Sequence, residues 1–577
     1  MSKGFAAGKG TIINADAGFL DSKADPRDNL HNYKRYNAGI RANTRVEYLD
    51  NDFTFNYGID YTGSFDRTKR DPDLNFNKID EFLNHYNRLA FTGSAMWNVG
   101  GSKWLKSVSL NTSVDYQPEK MERRKQVAPS RASVAPTSMG EGVSEGHFLI
   151  GEYIADFVSD GKPLNFFLKL KGEGLINTGI FSHNLKAGAD WTISKNFGKG
   201  QVYDLTRPLS GSWTTRPRKY SDIPALHVLS FYAEDRIMGV FNENTFELQA
   251  GLRTIQMPNI DSRYWLHGRV YVDPRVNGQW RFPSFYAGKA PMQFSIAGGF
   301  GLTTKMPTAD YLYPQVSYSD FLMLNYYDIN NPVERSRVIM QTYIDDPVNY
   351  DLRAARNRKW EVRAGMSWGD AELSVTYFDE RMNSGFRYSS VYRPYEYRRY
   401  DASGIDHSLL TGKPDVESLP YQDRKILSGY SRVENGSRLW KQGVEFQLTT
   451  PRWPQLCTAL TVTGAWFKST YSNSQLLMKP VSTTIGNEAV SDKYIGIYDT
   501  NDGRVNRQFN TNFMFDTQIR KWGLVFTTTL ECLWFVSTRQ LRDNGTPVSY
   551  LSAEDGEIHQ PHLRNCHHGR QSCHAST

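Results

Sequence analysis

Residues 40–61 read IRANTRVEYLDNDFTFNYGIDY, and apolar and polar side chains alternate on both sides of a short acidic turn. In the first run the polar face consists of Arg41, Asn43, Arg45 and Glu47. Successive side chains of a strand point to opposite faces of a sheet. Two such runs about the turn at 50–52 therefore predict a β-hairpin with one apolar face and one polar face.

The same alternation recurs along the chain. Comparable runs occupy residues 89–99, 108–116, 185–193, 246–253, 272–282, 292–302, 360–368, 371–377, 444–448, 460–466, 513–519 and 524–530. The pattern predicts about 17 strands of roughly 9 to 11 residues, the length that crosses a bilayer at a tilt. Between residues 148 and 225 the alternation fails, so at least one strand there escapes the count.

The predicted connections alternate between short and long. The short ones are residues 49–52, 98–106, 238–245, 283–291, 369–370, 450–457 and 520–523, and the long ones are residues 62–88, 117–147, 255–271, 303–359, 382–440 and 468–508. Short turns on one rim and long loops on the other are typical of outer-membrane barrels. Aromatic residues at predicted strand ends would form a girdle at the membrane interface, namely Tyr48, Phe53, Trp97, Trp104, Trp360 and Trp368.

Composition narrows the class further. The 577 residues have a mean hydropathy of −0.56, and no run is long and apolar enough for a membrane-spanning helix. An aromatic content of 13% excludes an unfolded chain, and four cysteines exclude a disulfide scaffold. The net charge of +7 is spread along the strands, which argues against a nucleic-acid footprint and favours a polar lumen.

Several segments of the sequence resemble parts of the barrel of TonB-dependent outer-membrane receptors, in particular those of Bacteroidota-type bacteria. They are FYAEDR (231–236), FELQAGLR (246–253), DPRVNGQWRF (273–282), GGFGLTTKMPTADYLYP (298–314), WEVRAGMSWGDAELSVTYFDERMNSGF (360–386) and GVEFQLTT (443–450). The resemblance covers roughly residues 30–535. It consists of strand and loop phrases, so it indicates architecture better than substrate.

The resemblance implies a barrel of roughly 22 strands around an N-terminal plug domain, with a TonB box that contacts the energy-transducing partner. The chain departs from this pattern because it shows no signal peptide, no TonB box, no plug-like domain before the first strand, and too few strands. We therefore expect an all-β, large antiparallel transmembrane β-barrel that is partial over residues 1–558 and lacks the plug. Residues 559–577 are expected to be an aberrant, unstructured tail.

The expected location is the outer membrane of a Gram-negative cell, and the expected role is nutrient uptake. The partners implied are outer-membrane lipid and lipopolysaccharide, the TonB complex if a plug is supplied, a surface lipoprotein, and a small-molecule or oligomeric nutrient. No nucleic acid and no cofactor are expected. The alternative is a surface or adhesin barrel that does not transport. Enzyme function is not expected, because His183, His227 and His267 are far apart and lack a nucleophile motif.

Candidate ligand contacts lie in two predicted extracellular loops. The stretch RYSSVYRPYEYRRY (387–400) supplies Arg387, Tyr392, Arg393, Tyr395, Tyr397, Arg398 and Arg399, and a second aromatic loop supplies Tyr311 and Tyr313. Arginine with tyrosine can bind anionic, glycan or peptide ligands by charge and ring stacking. The alternative is that these loops pack on their own side chains or on lipopolysaccharide.

Two other segments contain residue types that can bind metal ions. The tail holds Cys566, His567, His568, Cys573 and His574, but its cysteine spacing fits no zinc module. A shifted reading frame at the end of the gene is the favoured interpretation. Residues 499–503 lack the full spacing of a calcium loop, so a turn is expected there. No metal site is therefore predicted.

Overall fold

The computed structural model describes residues 2–7, 10–22, 31–48, 50–70, 73, 76, 78–130, 133–481, 484–485, 488–499, 502–542 and 545–561. Nearly all of the regular structure in these residues is β-strand. A short helix, α1 (Ala309–Leu312), and two 3₁₀ turns, Tyr220–Asp222 and Arg520–Trp522, also occur. Among the described residues, no helix combines the length and apolar character that crossing a membrane requires.

The strands are, in chain order, β1 (Ser2–Ala6), β2 (Thr11–Ser22), β3 (His31–Tyr48), β4 (Asn51–Thr68), β5 (Asp80–Asn98), β6 (Leu105–Tyr116), β7 (Glu119–Val127), β8 (Val134–Ala135), β9 (Gly142–Glu145), β10 (His147–Phe148), β11 (Tyr153–Gly161), β12 (Pro163–Thr178), β13 (Phe181–Asn196), β14 (Gly200–Tyr203), β15 (Leu226–Phe241), β16 (Asn244–Gln256), β17 (Tyr271–Arg281), β18 (Phe285–Ala287), β19 (Ala290–Lys305), β20 (Ser317–Tyr326), β21 (Arg337–Asp345), β22 (Ala355–Trp368), β23 (Ala371–Tyr400), β24 (Tyr421–Thr449), β25 (Thr458–Asn473), β26 (Leu477–Pro480), β27 (Thr484–Ile485), β28 (Glu488–Ala489), β29 (Tyr494–Tyr498), β30 (Gly503–Ile519), β31 (Leu524–Leu541), β32 (Ser549–Ser552) and β33 (Ile558–His559).

A single antiparallel sheet contains 22 of these strands. Each strand pairs with its neighbours along the chain, and four pairs of strands continue one another across a short interruption: β6 with β7, β11 with β12, β13 with β14, and β17 with β18. The 22 strands therefore fill about 18 positions of one meander, typical of large outer-membrane barrels. Among the described residues, no ladder joins the two edge strands, β1 and β31.

Strand β12 is the one that the alternation between residues 148 and 225 failed to reveal. It pairs with β6 on one side and β13 on the other, so its position in the sheet is fixed. On its apolar face, Gly172 and Gly174 contribute no side chain, and Phe167 places an apolar ring on the other face. These three residues remove the period-two signal that identifies the other strands.

The two rims of the sheet differ as predicted. One rim carries the short connections, between Tyr48 and Asn51 and at residues 99–104, 179–180, 242–243, 288–289, 369–370, 450–457 and 520–523, and the other carries the longer connections. Asn242 and Glu243 both have positive φ, which suits a two-residue hairpin whose twist matches that of its strands. We call these two rims the turn rim and the loop rim.

Two of the predicted long loops are shorter than expected, and that part of the prediction is wrong. Strand β4 continues to Thr68 and β5 begins at Asp80, so most of residues 62–88 is strand. Strands β23 and β24, of 30 and 29 residues, fill most of residues 382–440. The halves of these two strands that lie nearest the loop rim carry charged and tyrosine side chains on both faces. This composition hides the alternation of apolar and polar residues.

One face of the sheet is a continuous band of exposed apolar side chains. Ile40, Ile59 and Phe91, which are 61%, 54% and 40% exposed, lie side by side on three strands. The row continues through Val114, Phe166 and Ile193. A second row runs across the later strands of the meander, from β23 to β31. It contains Tyr377, Val444, Trp466, Phe509 and Phe535. An exposed apolar surface of this extent marks a surface that contacts lipid or protein.

Aromatic residues line the turn rim next to this band. The indole N–H groups of Trp97 and Trp280 donate hydrogen bonds of 2.9 Å to the side chains of Asn51 and Asn244, which flank the turns. Tyr48 and Trp104 are exposed at the same rim. Trp360, by contrast, lies away from this rim and packs on Tyr377, with ring centroids 5.3 Å apart.

The polar face of the sheet carries paired charges. Arg88 and Asp115 form a salt bridge of 2.6 Å, and Arg236 and Glu247 form another of 2.7 Å. Arg41 contacts both Asp16 and Asp60 in the same manner. These pairs fit the predicted polar lumen, because each joins opposite charges on adjacent strands.

The buried hydrophobic core lies in the loop rim and not within the sheet. Its largest cluster contains Met257, Ile260, Tyr264, Leu266, Met306, Leu312, Leu352, Ala354 and Val433, all from loop-rim connections and the strand residues beside them. Three smaller clusters lie in the same layer. The sheet is thus a wall one layer thick, and the loop rim is a second, globular layer on top of it.

Gly200 anchors part of this layer. It has a φ of +73°, and a Cβ at this position would lie 1.8 Å from the carbonyl oxygen of Arg218. Next to it, the N–H of Gln201 donates a 3.0 Å hydrogen bond to the same oxygen, which holds the connection 204–225 against β14.

We therefore expect Gly200→Ala to lower the free energy of unfolding by about 1–3 kcal/mol, because the backbone must move to relieve the contact. Urea titration of the refolded protein in detergent measures this change. Gly172→Ala is the control, since a Cβ there has no atom within 4 Å. Equal effects of the two substitutions would contradict the prediction.

Candidate ligand site at the loop rim

The loop rim contains a small sheet that packs against the long β23–β24 hairpin. Strands β9, β21 and β20 form this sheet in antiparallel order. The ring of Phe321 on β20 stacks on Tyr397 of β23, with centroids 5.2 Å apart and planes inclined by 16°. Phe321 also lies 5.2 Å from Tyr395. These contacts fix the upper half of the hairpin relative to the small sheet.

The predicted contacts Arg393 and Tyr395 are tied to Asp345 at the end of β21. The hydroxyl of Tyr395 donates to Asp345 Oδ2 at 2.5 Å, and Arg393 Nε donates to Oδ1 at 2.6 Å. Tyr395 is 1% exposed, and burial together with the Asp345 hydrogen bond raises its pKa to about 12. The guanidinium of Arg393 lies 4.5 Å from the Tyr395 ring. This pair joins two elements of the protein.

Arg387 and Tyr392 are likewise engaged within the protein. Arg387 Nη2 donates to Asp502 Oδ2 at 2.6 Å and connects β23 to the segment before β30. Tyr392 packs on a cluster that includes Leu427, Ile495 and Leu551, and burial raises its pKa. These residues lie in a strand, which corrects the prediction that they belong to a loop.

The second predicted group, Tyr311 and Tyr313, belongs to the largest core cluster. Tyr311 lies 5.2 Å from the ring of Phe386, and Tyr313 lies 5.9 Å from Tyr264. Burial raises the pKa of Tyr313. The two tyrosines are packed at a different place in the rim from Tyr397 and Arg398.

Tyr397 and Arg398 do line a cavity, of about 850 Å³, between the small sheet and the hairpin. Its wall also includes Val143, Met323, Arg337, Ile339, Gln341, Glu396, Tyr400, Asp415, Val416, Glu417, Asp423, Arg424 and Lys425. Apolar and charged side chains both contribute, and four basic residues face four acidic ones. Arg399 is exposed but does not line it. We call this space the rim cavity.

A buried ion pair beneath the small sheet was not found by sequence reasoning. Arg216 Nη2 donates to both carboxylate oxygens of Asp320, at 2.9 and 3.0 Å, and the two side chains are 1% and 4% exposed. Arg216 also donates to the carbonyl oxygens of Ser138 and Thr214, both at 2.8 Å. The two charges are 104 positions apart in the chain, and no local pattern connects them.

The three histidines considered for catalysis lie at separate places in the described structure. His183 Nδ1 lies 2.9 Å from Asp235 and Nε2 lies 2.9 Å from Thr178, but this chain of contacts lies on the apolar outer face. His227 packs near Trp191, and His267 bonds to a backbone carbonyl. Among the described residues, no group of three or more His, Cys, Asp or Glu side chains is placed to hold a metal.

The two segments weighed as metal sites fall largely outside the described residues. This applies to Cys566, His567, His568, Cys573 and His574, and to residues 500 and 501 of the turn at 499–503. His559, at the start of the predicted tail, ends strand β33 and lies 2.8 Å from Asp555.

No family model and no curated protein matches the chain. Among solved structures it is similar to the RagAB peptide transporter (12% identity, 89% of this chain and 61% of that chain, TM-score 0.47). It is also similar to the siderophore receptor PiuA from Acinetobacter baumannii (11% identity, 90% and 73%, 0.40) and the siderophore receptor PirA from Pseudomonas aeruginosa (11%, 91% and 80%, 0.33). The chain thus spans about three fifths of the RagAB chain.

The predicted fold class, an all-β protein built on one large antiparallel sheet, is confirmed. Its basis is the 22-stranded antiparallel sheet described above. At these identities and TM-scores, the solved structures carry no information on ligand or mechanism.

The Arg216–Asp320 pair gives a prediction for the stability of the rim. Asp320→Asn keeps the shape of the side chain but leaves a buried guanidinium without its counter-charge. We expect it to lower local stability by about 3–5 kcal/mol, measured by hydrogen exchange of segments 133–150 and 204–225.

The matched control is Asp423→Asn, which removes a carboxylate that is 81% exposed and 3.6 Å from Arg398. An exposed pair contributes only about 0–1 kcal/mol, so exchange should change little. If Asp320→Asn left exchange in both segments unchanged, the buried pair would not be what holds this layer.

Proposed function

We propose that the chain forms the barrel portion of a TonB-dependent outer-membrane receptor that takes up a nutrient. The apolar band faces the lipid of the outer membrane, the loop rim faces the outside, and the turn rim faces the periplasm. Ligand is captured at the loop rim before it passes through the polar lumen. Transport then requires a plug domain and the TonB complex, and a surface lipoprotein is a candidate partner at the loop rim.

The observation that carries this proposal is the exposed apolar band. A soluble sheet packs such a face against a second layer, whereas here Ile40, Ile59 and Phe91 remain exposed on adjacent strands. Lipid removes this surface from water at little cost in backbone hydrogen bonds, because each position of the meander between the edge strands β1 and β31 is paired on both sides. The aromatic residues at the turn rim support the same placement, since such rings favour the membrane interface.

The rim cavity favours a receptor over the alternative of an adhesin barrel. An adhesin needs an outer surface for its partner, whereas a receptor needs a concave site that can enclose a ligand. A space of about 850 Å³ lined by side chains from the small sheet and from the hairpin meets the second requirement.

Fractionation of the native host tests location, and accumulation of ligand tests transport. The proposal expects the protein in the outer-membrane fraction after an alkaline wash, and it expects uptake that stops when the proton-motive force is dissipated. Recovery in the aqueous fraction would overturn the membrane placement. Surface binding without uptake, in cells that contain the full receptor, would favour the adhesin.

The lipid-facing assignment also predicts the effect of a charge on each face of β5. Phe91 and Thr92 are adjacent and exposed, but their side chains point to opposite faces of the strand. Phe91→Arg should lower stability in phospholipid vesicles by about 2–4 kcal/mol, because the guanidinium must enter the hydrocarbon. Thr92→Arg should change stability by no more than about 0.5 kcal/mol. Similar losses from both would contradict the assignment.

A further inference from the structure

We infer that the rim cavity binds a zwitterionic ligand of short-peptide size, whose carboxylate is held by Arg337 and Arg424. The inference rests on the proposed function, because it names the ligand class of that same rim. It follows from which of the charges that line the cavity are neutralised within the protein and which are not.

Two guanidinium groups in the cavity have no acidic partner. Arg337 Nη1 donates to the carbonyl oxygen of Pro414 at 2.8 Å, but its Nε is buried and makes no hydrogen bond. The Nε of Arg424 is buried in the same unsatisfied state. Neither side chain lies within 4.0 Å of a carboxylate among the described residues. Each guanidinium therefore brings a positive charge to the cavity wall that no nearby carboxylate balances, and this charge favours an anionic group of a ligand.

The other two basic residues are already paired. Lys425 lies 2.9 Å from Glu396, and Arg398 lies 3.6 Å from Asp423. These pairs leave Arg337 and Arg424 as the cavity's uncompensated positive charges.

Two carboxylates of the cavity are also uncompensated. Asp415 Oδ1 accepts only the backbone N–H of Glu417, at 3.2 Å, and within the described chain neither residue has a basic partner. Both are exposed, so water screens them more than it screens the two arginines. They therefore contribute less to affinity, but they disfavour a ligand that carries negative charge alone.

The chemistry of the ligand follows from these charges. A carboxylate satisfies guanidinium donors in a planar, two-oxygen arrangement, and such charge-assisted bonds are the stronger kind. An ammonium group of the same ligand suits Asp415 and Glu417, the two unpaired carboxylates of the cavity. Met323, Ile339 and Tyr397 supply apolar wall for the side chains of the ligand. A neutral glycan would leave both arginines without a counter-charge.

Calorimetry with the purified protein in detergent tests the inference. The probe is the peptide Gly-Leu-Ala-Gly with free termini, compared with its C-terminal amide, its N-acetyl form and maltotetraose. We expect the free peptide to bind best, amidation to weaken binding at least tenfold, acetylation to weaken it about threefold, and maltotetraose to bind weakest. Equal affinity for free and amidated peptide, or tighter binding of maltotetraose, would overturn the inference.

Variants of Arg337 and Arg424 test whether the preference for the free carboxylate arises in the rim cavity. Arg337→Gln and Arg424→Gln should each weaken binding of the free peptide about tenfold while changing little for the amide, because the lost partner is the same carboxylate. Arg269→Gln is the matched control, since Arg269 is exposed at the loop rim and does not line the cavity. Retention of the heat-dependent gel shift of a folded barrel confirms that each variant folds. If both arginine variants bound the free peptide as tightly as the parent protein does, the cavity would not be the site.

These results separate the inference from the proposed function. If the protein were in the outer membrane but showed no preference for the free peptide, only the assignment of the ligand class would be overturned. If the protein were absent from the membrane fraction, the proposal of an outer-membrane receptor would be overturned, whatever the peptide data show.

Discussion

The exposed apolar band is the constraint on which the rest of the structure depends. A sheet one layer thick has no second layer to cover that face, and the residues of the band come from strands along the whole meander. Backbone polar groups can be satisfied in such a wall only by pairing each strand with its neighbours. The long, regular ladders follow from this requirement.

The same constraint explains where the ordinary hydrophobic core lies. Because the wall has no interior of its own, buried clusters form only where the longer connections fold on one another at the loop rim. There the protein uses the interactions of a soluble domain, such as the tyrosine hydroxyl of Tyr395 on Asp345 and the buried pair of Arg216 with Asp320. A substitution in the rim is therefore expected to act locally, whereas one in the band acts through the lipid.

The sequence predicts the wall well because a strand with two different environments carries a period of two, as residues 40–61 show. The signal weakens wherever the environments become alike. Between the band and the loop rim, both faces of β23 and β24 are polar or aromatic. The sequence therefore predicts a loop for these parts of the two strands. In β12 two glycines and Phe167 have the same effect. The strand count of about 17 is nevertheless close to the 18 positions of the meander, because most strands keep one lipid face.

The candidate site was harder to predict, because its decisive residues interact across the chain and not along it. Arg393 and Tyr395 were identified as a cluster of arginine and tyrosine, but their role depends on Asp345, about 50 positions away. Composition cannot tell a side chain that holds the rim together from one that faces a ligand. In the sheet, the ladder register brings some opposite charges together on adjacent strands, as in Arg88 with Asp115. In the rim cavity, the charges come from separate elements whose spacing no ladder fixes, and Arg337 and Arg424 can remain uncompensated until a ligand supplies the carboxylate.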